Sequence, residues 1–412
     1  MSSGSTKPIP RQPEVNIGTS GHVDHGKTTL VEALTGKWTS AHSEELRRGI
    51  TIRVGYADAA IYRCEGESPP ACYNTDGECK GGEAKLLRVA SFVDSPGHES
   101  LMANMLSGAA IMDGAIIVIA ANEPVPQPQT KEHVQALRMI GVEKVVVAQN
   151  KVDLVAYEQA LANESRIRSF LESYGYGNAP LVPISAQKHL NIDALLEAIE
   201  ATIPTPQRDI AAKPFMHVLR SFDVNRPGTP IDKVRGGVVG GSLTQGTLKV
   251  GDQIEIRPGL YDSVKTKYVA VVTTVVSLGT SAGLVDSVKP GGLVAIGTTL
   301  DPFYTKSDAL VGSVAGIPGT LPEEISDLGM KPTLFDTVVG VNDVIKVEPI
   351  KMNEILRLNV GTATTAGTVF QMKGGNVYVK LRKPVCPAPG ARVAISRRVG
   401  DRWRLIGSAT LV

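Results

Sequence analysis

The sequence predicts an α/β domain with a parallel-type sheet in its first half, followed by two β-barrel domains. Two observations carry this prediction. Up to about residue 205, short apolar runs alternate with stretches of helical periodicity; beyond about residue 213, glycine-bounded strand patterns follow one another with few helical patterns between them. Strand–helix alternation is typical of parallel sheets with crossover helices. Many short strands separated by turns are typical of barrels.

The strands and helices of the first half follow from apolar spacing. Nearly continuous apolar runs, expected of strands covered on both faces, occupy residues 15–17, 87–93, 115–121, 145–149 and 181–184. Residues 130–140 and 190–203 carry apolar side chains at three-to-four spacing, which predicts amphipathic crossover helices. The proline-bearing segment 203–206 ends this region, because proline cannot continue a helix.

The second half is predicted to consist of strands. They cover residues 236–243, 247–257, 293–296, 338–341, 354–360, 377–382 and 392–397. The length of this half suits two barrels of about 100 residues each. The expected divisions are a flexible tail at 1–12, a first domain at 13–208 with an insertion at 62–84, and barrels at 209–327 and 328–412.

Composition limits the class of protein. The 43 basic side chains nearly balance the 41 acidic ones, so any contact with nucleic acid must come from local patches rather than net charge. Four cysteines and no apolar segment at the start indicate a reducing compartment rather than a disulfide framework. The longest apolar run, 115–121, is shorter than the roughly 20 residues of a membrane span. We therefore expect a soluble cytoplasmic protein with no membrane partner.

An N-terminal loop carries the first motif. Residues 21–28 read GHVDHGKT, which matches the phosphate-binding pattern G-x-x-x-x-G-K-[ST] between a predicted strand and a predicted helix. Its glycines let backbone N–H groups and the helix N-terminus approach anionic oxygens. We expect Lys27 to reach the β- and γ-phosphates and Thr28 to hold Mg²⁺. The nucleotide-binding residues predicted in this loop are Asp24, His25, Gly26, Lys27, Thr28 and Thr29.

A second motif, DSPGH at residues 94–98, follows the predicted strand 87–93. Asp94 is expected to bind Mg²⁺ through a water, and the N–H of Gly97 to contact a γ-phosphate. His98 is predicted to orient the attacking water; the alternative is a surface histidine at a helix start. The predicted catalytic residues are therefore Lys27, Gly97 and His98, in a reaction that depends mainly on positioning and charge stabilisation.

A third motif, N-K-x-D, selects the base. Asn150, Lys151 and Asp153 follow the predicted strand 145–149. The Asp153 carboxylate can accept hydrogen bonds from N1–H and the exocyclic amine of guanine, which adenine cannot supply. Asn150 is expected to brace the neighbouring loops, and the Lys151 stem to cover the face of the base.

A fourth segment, Ser185, Ala186 and Gln187, follows the predicted strand 181–184 and can offer a backbone N–H to guanine O6. Alone it would carry no information. As the fourth element in the correct order, it supports an α/β P-loop GTPase domain that binds GTP or GDP with Mg²⁺.

The segment 48–52, RGITI, is expected to form the switch. The Thr51 hydroxyl would complete the Mg²⁺ shell, and loss of the γ-phosphate would release the segment.

Asp24 beside a triphosphate is unfavourable unless a cation lies between them. Either a second Mg²⁺ binds Asp24 and the Gly49 carbonyl, or Asp24 only caps the loop. No arginine finger is recognisable in the chain, so slow intrinsic hydrolysis stimulated by a partner is expected.

These motifs resemble those of translational GTPases, whose marks are GHVDHGKT, RGIT and D-x-P-G-H. Two longer stretches, WTSAHSEELRRGIT at 38–51 and ANEPVPQPQT at 121–130, closely resemble the gamma subunit of archaeal and eukaryotic translation initiation factor two. Residues 220–228 and 290–298 fit the same family, so the resemblance covers nearly the whole chain. The short length suggests an archaeal version.

The resemblance implies the domain plan of elongation factor Tu. It also implies binding of methionylated initiator tRNA in the GTP state and delivery to the small ribosomal subunit. A heterotrimer is implied as well, in which an alpha subunit docks on the second domain and a beta subunit on the first. Two alternatives are an elongation- or selenocysteine-type aminoacyl-tRNA carrier and the GTPase subunit of a sulfate adenylyltransferase. The segments 38–51 and 121–130 speak against the first. The second predicts a sulfurylase partner and no affinity for tRNA.

The resemblance also draws attention to the insertion, where the family commonly has a zinc knuckle with two C-x-x-C pairs. Here Cys64 and Cys79 each lack the second cysteine of the pair, and Cys72 lies between them. These three cysteines, with Glu67 as a conceivable fourth ligand, form an incomplete set, because structural zinc sites usually have four N or S ligands in recognisable pairs. We therefore expect an insertion without zinc.

Basic residues gather around Trp403 near the end of the chain. They either contact tRNA phosphates or are ordinary solvated faces of strands. The residues are Arg382, Lys383, Arg392, Arg397, Arg398, Arg402 and Arg404.

Overall fold

The computed structural model describes residues 9–39, 54–98, 101–338, 345–388 and 390–412. Within these ranges the chain forms two compact units. The first contains the described residues up to Pro206, and the second contains those from Gln207 onward. No helix in the described ranges is long and apolar enough to cross a membrane.

The first unit is an α/β domain. Its strands are β1 (Val15–Ser20), β2 (Gly55–Cys64), β3 (Tyr73–Asn74), β4 (Ala84–Asp94), β5 (Gly114–Ala120), β6 (Val145–Asn150) and β7 (Leu181–Pro183). The helices described in it are α1 (Lys27–Thr35), α2 (Met102–Ala109), α3 (Pro128–Ile140), α4 (Tyr157–Glu172) and α5 (Ile192–Thr202). The strands form one sheet in the order β3-β2-β4-β1-β5-β6-β7.

The sheet is parallel where the motifs lie and antiparallel at one end. β4, β1, β5, β6 and β7 pair in parallel, as predicted. β2 pairs antiparallel with both β3 and β4, which the prediction of a parallel-type sheet did not include. The described chain enters β4 from β2 through β3 and loops rather than through a crossover helix, and only antiparallel strands can be joined in that way. The result is a mixed sheet.

The parallel arrangement places the four motifs at one edge of the sheet. β1, β5 and β6 are buried along their whole length, since helices cover both faces. Their carboxyl ends therefore point to the same side, where open α/β sheets bind ligands. Gly21, Asp94, Asn150 and Ser185 all lie at or just beyond the ends of these parallel strands.

The second unit contains two barrels. The strands of the first are β8 (Phe215–Phe222), β9 (Val238–Gln245), β11 (Gln253–Asp262), β12 (Lys267–Thr280), β15 (Val294–Thr298) and β16 (Val314–Gly316), accompanied by the short strands β10 (Leu248–Lys249), β13 (Gly283–Val285) and β14 (Ser287–Val288). The strands of the second are β17 (Ile325–Leu334), β18 (Ile355–Val360), β19 (Ala363–Lys373), β20 (Asn376–Val385), β21 (Arg392–Val399) and β22 (Arg402–Leu411).

Both barrels are closed. The first runs β11-β16-β8-β9-β15-β12 and closes through pairing of β11 with β12, and the second runs β17-β20-β19-β18-β21-β22. This confirms the predicted fold class. The strand β17 begins at Ile325, so the second barrel starts before the expected boundary at residue 328. The predicted strand 338–341 lies outside the described residues except for Val338, which is not in a strand.

Candidate nucleotide and magnesium site

The phosphate-binding loop needs its glycines because a backbone carbonyl and a side-chain amide lie very close to it. Gly21 directly follows β1 with φ 141°, and a Cβ there would lie 2.2 Å from the carbonyl oxygen of Val118. Gly26 has φ 89°, and a Cβ there would lie 2.3 Å from Nδ2 of Asn150. Both positions therefore exclude a side chain by space as well as by backbone conformation. The helix α1 starts directly after Gly26, which aims its free N–H groups at the loop.

Lys27 is buried at the start of α1. Its Nζ donates a 2.6 Å hydrogen bond to the carbonyl oxygen of His22, and burial lowers its pKa to about 8 although Asp94 and Asp24 raise it. Gly97 lies against it, since a Cβ at Gly97 would be 2.5 Å from the Lys27 Nζ. A desolvated ammonium gains strongly from an anionic partner. Lys27 and Gly97, predicted to share the γ-phosphate, are thus brought together.

Asp94 lies at the centre of the expected magnesium site. Its carboxylate is fully buried, and three hydroxyl groups donate to it: Thr28 at 2.8 Å and Thr39 at 2.6 Å to Oδ2, and Thr19 at 3.1 Å to Oδ1. Burial raises the pKa of Asp94, while the hydrogen bonds from Thr39 and Thr28 lower it. A carboxylate and a hydroxyl in direct contact are ligands that suit Mg²⁺. The residues present therefore fit the ion that the motifs imply.

Asn150 ties the base-recognition loops to the phosphate loop. Its Nδ2 donates 2.9 Å to the carbonyl oxygen of His25, and its Oδ1 accepts 3.0 Å from the N–H of Ala186. This is the bracing function expected of it. Lys151 next to it has φ 63°, a left-handed conformation that is uncommon for residues other than glycine and that occurs at functional sites. Asp153 is exposed in the following turn.

The remaining predicted site residues differ in solvent exposure, and some lie outside the described residues. Asp24 is exposed and has φ 62°, and His98 is partly exposed. Thr29 is partly exposed on α1, and Gln187 is exposed. The predicted switch residues Thr51 and Gly49 lie outside the described residues.

Two contacts at this site involve residues to which the motifs assign no function. The fully buried His133, on α3, accepts a 3.1 Å hydrogen bond at Nδ1 from the N–H of Gly21, and burial lowers its pKa to about 3. A neutral imidazole thus holds the start of the phosphate loop. Thr39 follows α1, and its hydroxyl donates to Oδ2 of Asp94. Sequence spacing could not identify either residue, although His133 lies within the helix predicted at 130–140.

The cysteines of the insertion are arranged differently from the expectation. Cys64 and Cys79 form a disulfide, with Cα atoms 5.5 Å apart. This bond departs from the expectation of a reducing compartment rather than a disulfide framework. The two sulfurs lie close to the carboxylate of Glu67, whereas Cys72 is buried outside this cluster. Because the two sulfurs are bonded to each other and Glu67 accepts from the N–H of Lys80, these residues do not fit a structural zinc ion in this state.

The disulfide leads to a prediction. Protein purified without reductant should carry two fewer alkylated thiols, after denaturation, than reduced protein. The bond closes a segment with a sequence separation of 15 residues. In the chain-entropy treatment such a loop is stabilised by about 3 kcal/mol, so reduction should accelerate proteolysis within residues 64–79 by about 100-fold. Cys72→Ala is the matched control and should leave the disulfide intact. Stoichiometric zinc in protein purified with reductant would contradict the expected insertion without metal.

The basic cluster of the second barrel is only partly available for RNA. Arg397 forms a two-point ion pair with Glu354 and donates 2.7 Å to the carbonyl oxygen of Glu348. Arg404 is buried, and the Nζ of Lys383 donates 2.9 Å to the carbonyl oxygen of Val311 in the first barrel. Because Arg397 and Lys383 make these contacts within the fold and Arg404 is buried, the charged groups of these three residues are less accessible to tRNA phosphates than those of the exposed candidates. The exposed candidates are Arg382, Arg392, Arg398 and Arg402.

Comparison with known proteins is consistent with this geometry. Residues 12–205 match the family described as elongation factor Tu GTP binding domain, residues 236–316 match elongation factor Tu domain 2, and residues 326–411 match initiation factor eIF2 gamma, C terminal. Translation initiation factor 2 subunit gamma of Archaeoglobus fulgidus is 57% identical over 401 residues, which cover 97% of this chain and 94% of that protein. This chain belongs to the translation initiation factor 2 subunit gamma family.

Other relatives agree with this assignment. The gamma subunit of Pyrococcus furiosus is 55% identical over 96% of this chain and 97% of its own length. Two solved structures share the fold at low identity: a bacterial selenocysteine-specific elongation factor, EF-Sec, with TM-score 0.73 and 23% identity, and the elongation factor SelB of Methanococcus maripaludis with the GTP analogue GppNHp, with TM-score 0.71 and 22% identity. They cover 97% of this chain, which spans 58% and 79% of their lengths. As a member of the gamma-subunit family, this chain is a translational GTPase.

Proposed function

We propose that this chain binds methionylated initiator tRNA in its GTP state and delivers it to the small ribosomal subunit, with GTP hydrolysis triggering release. The similarity over nearly the full length of the gamma subunits is the observation that carries this proposal. The buried Lys27 supports a switch, because its Nζ lies close to Gly97 at the proposed γ-phosphate position and interacts electrostatically with Asp94, the proposed magnesium carboxylate.

In the proposed mechanism, the loop at residues 21–28 cradles the phosphates and Lys27 neutralises charge that develops on them. Thr28 and, through a water, Asp94 would hold Mg²⁺, which would supply further charge neutralisation; Thr51 is a further proposed ligand. His98 positions the attacking water. Asp153 selects guanine, with Asn150 bracing the loop, and the segment Ser185–Gln187 contributes a backbone N–H. Asp24 and the Gly49 carbonyl are the proposed ligands of a second Mg²⁺.

We further propose that the chain is one subunit of a heterotrimer. An alpha subunit would dock on the barrel at residues 209–327 and a beta subunit on the domain at residues 13–208. The family of the relatives supports this, because they carry the name of a subunit. The exposed arginines of the last barrel, among them Arg392 and Arg402, are the surface proposed for tRNA phosphates.

Binding of tRNA tests the proposal. The purified chain, loaded with a non-hydrolysable GTP analogue and Mg²⁺, should bind methionylated initiator tRNA at least 10-fold more tightly than methionylated elongator tRNA. Exchange for GDP should weaken binding. Equal affinity for both tRNAs would favour the elongation- or selenocysteine-type carrier. Absence of tRNA binding together with co-purification of a sulfurylase would favour the sulfate adenylyltransferase subunit.

A further inference from the structure

The segment that follows α1 contributes a hydroxyl group to the magnesium site from a residue, Thr39, to which none of the nucleotide-binding motifs assigns a function. Thr39 is partly buried, and its Oγ1 donates a 2.6 Å hydrogen bond to Oδ2 of Asp94. This is the shortest of the three hydroxyl contacts to that carboxylate. We propose that Thr39 is a positioning residue for magnesium: it orients the Asp94 carboxylate, and the retention of nucleotide by Mg²⁺ depends on its hydroxyl group.

The hydrogen bonds to Asp94 account for most of its acceptor capacity. An ionised carboxylate has about four lone-pair positions, two on each oxygen. Oδ2 accepts from Thr39 and from Thr28, and Oδ1 accepts from Thr19. Both positions of Oδ2 are therefore occupied, and one position of Oδ1 remains. Thr39 thereby determines which oxygen of the carboxylate is available to magnesium and its water shell.

The absence of a side chain at Gly55 leaves room for Thr39. Gly55, the first residue of β2, is the strand partner of Asp94, and a Cβ on it would lie 2.7 Å from the Cβ of Thr39. The same Cβ would be only in ordinary contact, 3.5 Å, with the Cβ of Asp94. An alanine at position 55 would therefore displace Thr39 and leave the carboxylate room. This steric relation provides a second, independent way to remove the contact.

The variant Thr39→Val tests the inference in the full-length chain, because valine keeps the shape and loses only the hydroxyl. Removing a residue that orients a metal ligand typically lowers metal affinity 10- to 100-fold. We expect the free Mg²⁺ concentration that half-maximally slows dissociation of a fluorescent GDP analogue to rise by that factor. Thr39→Ser should restore a value within about threefold of the wild type. Gly55→Ala should resemble Thr39→Val.

Two measurements separate positioning from a structural effect. In excess EDTA, the GDP dissociation rate should be the same in wild type and Thr39→Val, because the contact acts through magnesium. Thr35→Val is the matched control: its hydroxyl bonds to the carbonyl oxygen of Val31 in α1 and not to Asp94, so its Mg²⁺ curve should overlay the wild type.

The inference rests on the proposed magnesium site, and the outcomes distinguish the two. If wild-type protein releases GDP equally fast with and without Mg²⁺, the magnesium site itself is wrong. If wild type depends on Mg²⁺ and the Thr39→Val curve overlays it, only the function proposed for Thr39 is wrong. Equal acceleration of release by Thr39→Val in EDTA and in Mg²⁺ would also overturn it, since a positioning residue must act through the ion.

Discussion

Replacing Asp153 with asparagine is expected to exchange guanine specificity for xanthine specificity. The carboxylate can accept hydrogen bonds from two guanine donors, and hydrogen bonds to charged groups contribute about 1.5–3 kcal/mol each. The amide of asparagine would instead face the exocyclic amine with its own N–H group. Affinity for GTP should fall by roughly 10²–10⁴-fold. Xanthine carries a carbonyl oxygen in place of that amine, so the amide N–H gains an acceptor and affinity for xanthosine triphosphate should rise. Competition binding with both nucleotides measures the exchange.

The fold should be unaffected, because Asp153 is exposed. The control is Asp232→Asn, which removes an exposed carboxylate from the second unit and should leave both nucleotide affinities unchanged. Retention of GTP affinity within threefold in Asp153→Asn would show that another group selects the base. A loss of affinity for both nucleotides without any gain for xanthosine triphosphate would contradict the proposed contact with the exocyclic position.

Replacing Lys27 with methionine is expected to change binding and stability in opposite directions. GTP affinity should fall at least 100-fold, because a buried ammonium beside phosphates is lost. The nucleotide-free protein should become more stable by about 1–3 kcal/mol at pH 7. Burial lowers the pKa of Lys27 to about 8 from 10.5, so the folded state holds this proton less tightly than the unfolded state. Each pH unit of that difference is worth about 1.4 kcal/mol, and methionine fills a similar volume without the charge.

The sign of the pH dependence gives an independent check. Between pH 8 and 10.5 the unfolded chain binds this proton more tightly than the folded chain does. The destabilisation that Lys27 causes in the wild type therefore decreases as the pH rises. The advantage of Lys27→Met should therefore shrink across that window. Denaturant unfolding without nucleotide, at several pH values, measures it. Lys37→Met, at an exposed position, is the control and should change neither GTP affinity nor the free energy of unfolding. A Lys27→Met protein less stable than wild type at pH 7 would contradict the argument.

The fold was predictable where its cause is local. The central strands β1, β5 and β6 were visible as apolar runs because both of their faces are buried, which favours apolar side chains. β2 was missed because it is only partly buried and alternates less clearly, and because its antiparallel pairing with β4 is a long-range contact. α4 was missed as well, since most of its residues are exposed and its apolar face is narrow. The boundary of the last barrel was displaced because the start of β17 lies in a region rich in turn residues and two of its first three residues are exposed and polar.

The candidate site also has a part that the sequence predicted and a part that it did not. Residues that touch a nucleotide occur in short motifs, since phosphates and a base require fixed backbone geometry over a few consecutive residues. The residues that hold these motifs in place by hydrogen bonds come from distant parts of the chain. The hydrogen bond from Gly21 to His133 joins residues 112 apart, and that from Thr39 to Asp94 joins residues 55 apart. No spacing rule predicts such contacts, because they depend on how helices and strands pack.

The sequence by itself predicted a phosphate-loop motif, an N-K-x-D motif whose aspartate is proposed to select guanine, and a domain plan of one α/β domain with two barrels. Each of these depends on local backbone geometry or on periodic burial, which neighbouring residues specify. Only the tertiary structure decided that Cys64 pairs with Cys79, that Arg397 forms an ion pair with Glu354, and that the Thr39 hydroxyl donates to Asp94. These are choices among several chemically acceptable partners, and the partner is selected by which side chains the packed strands bring within bonding distance.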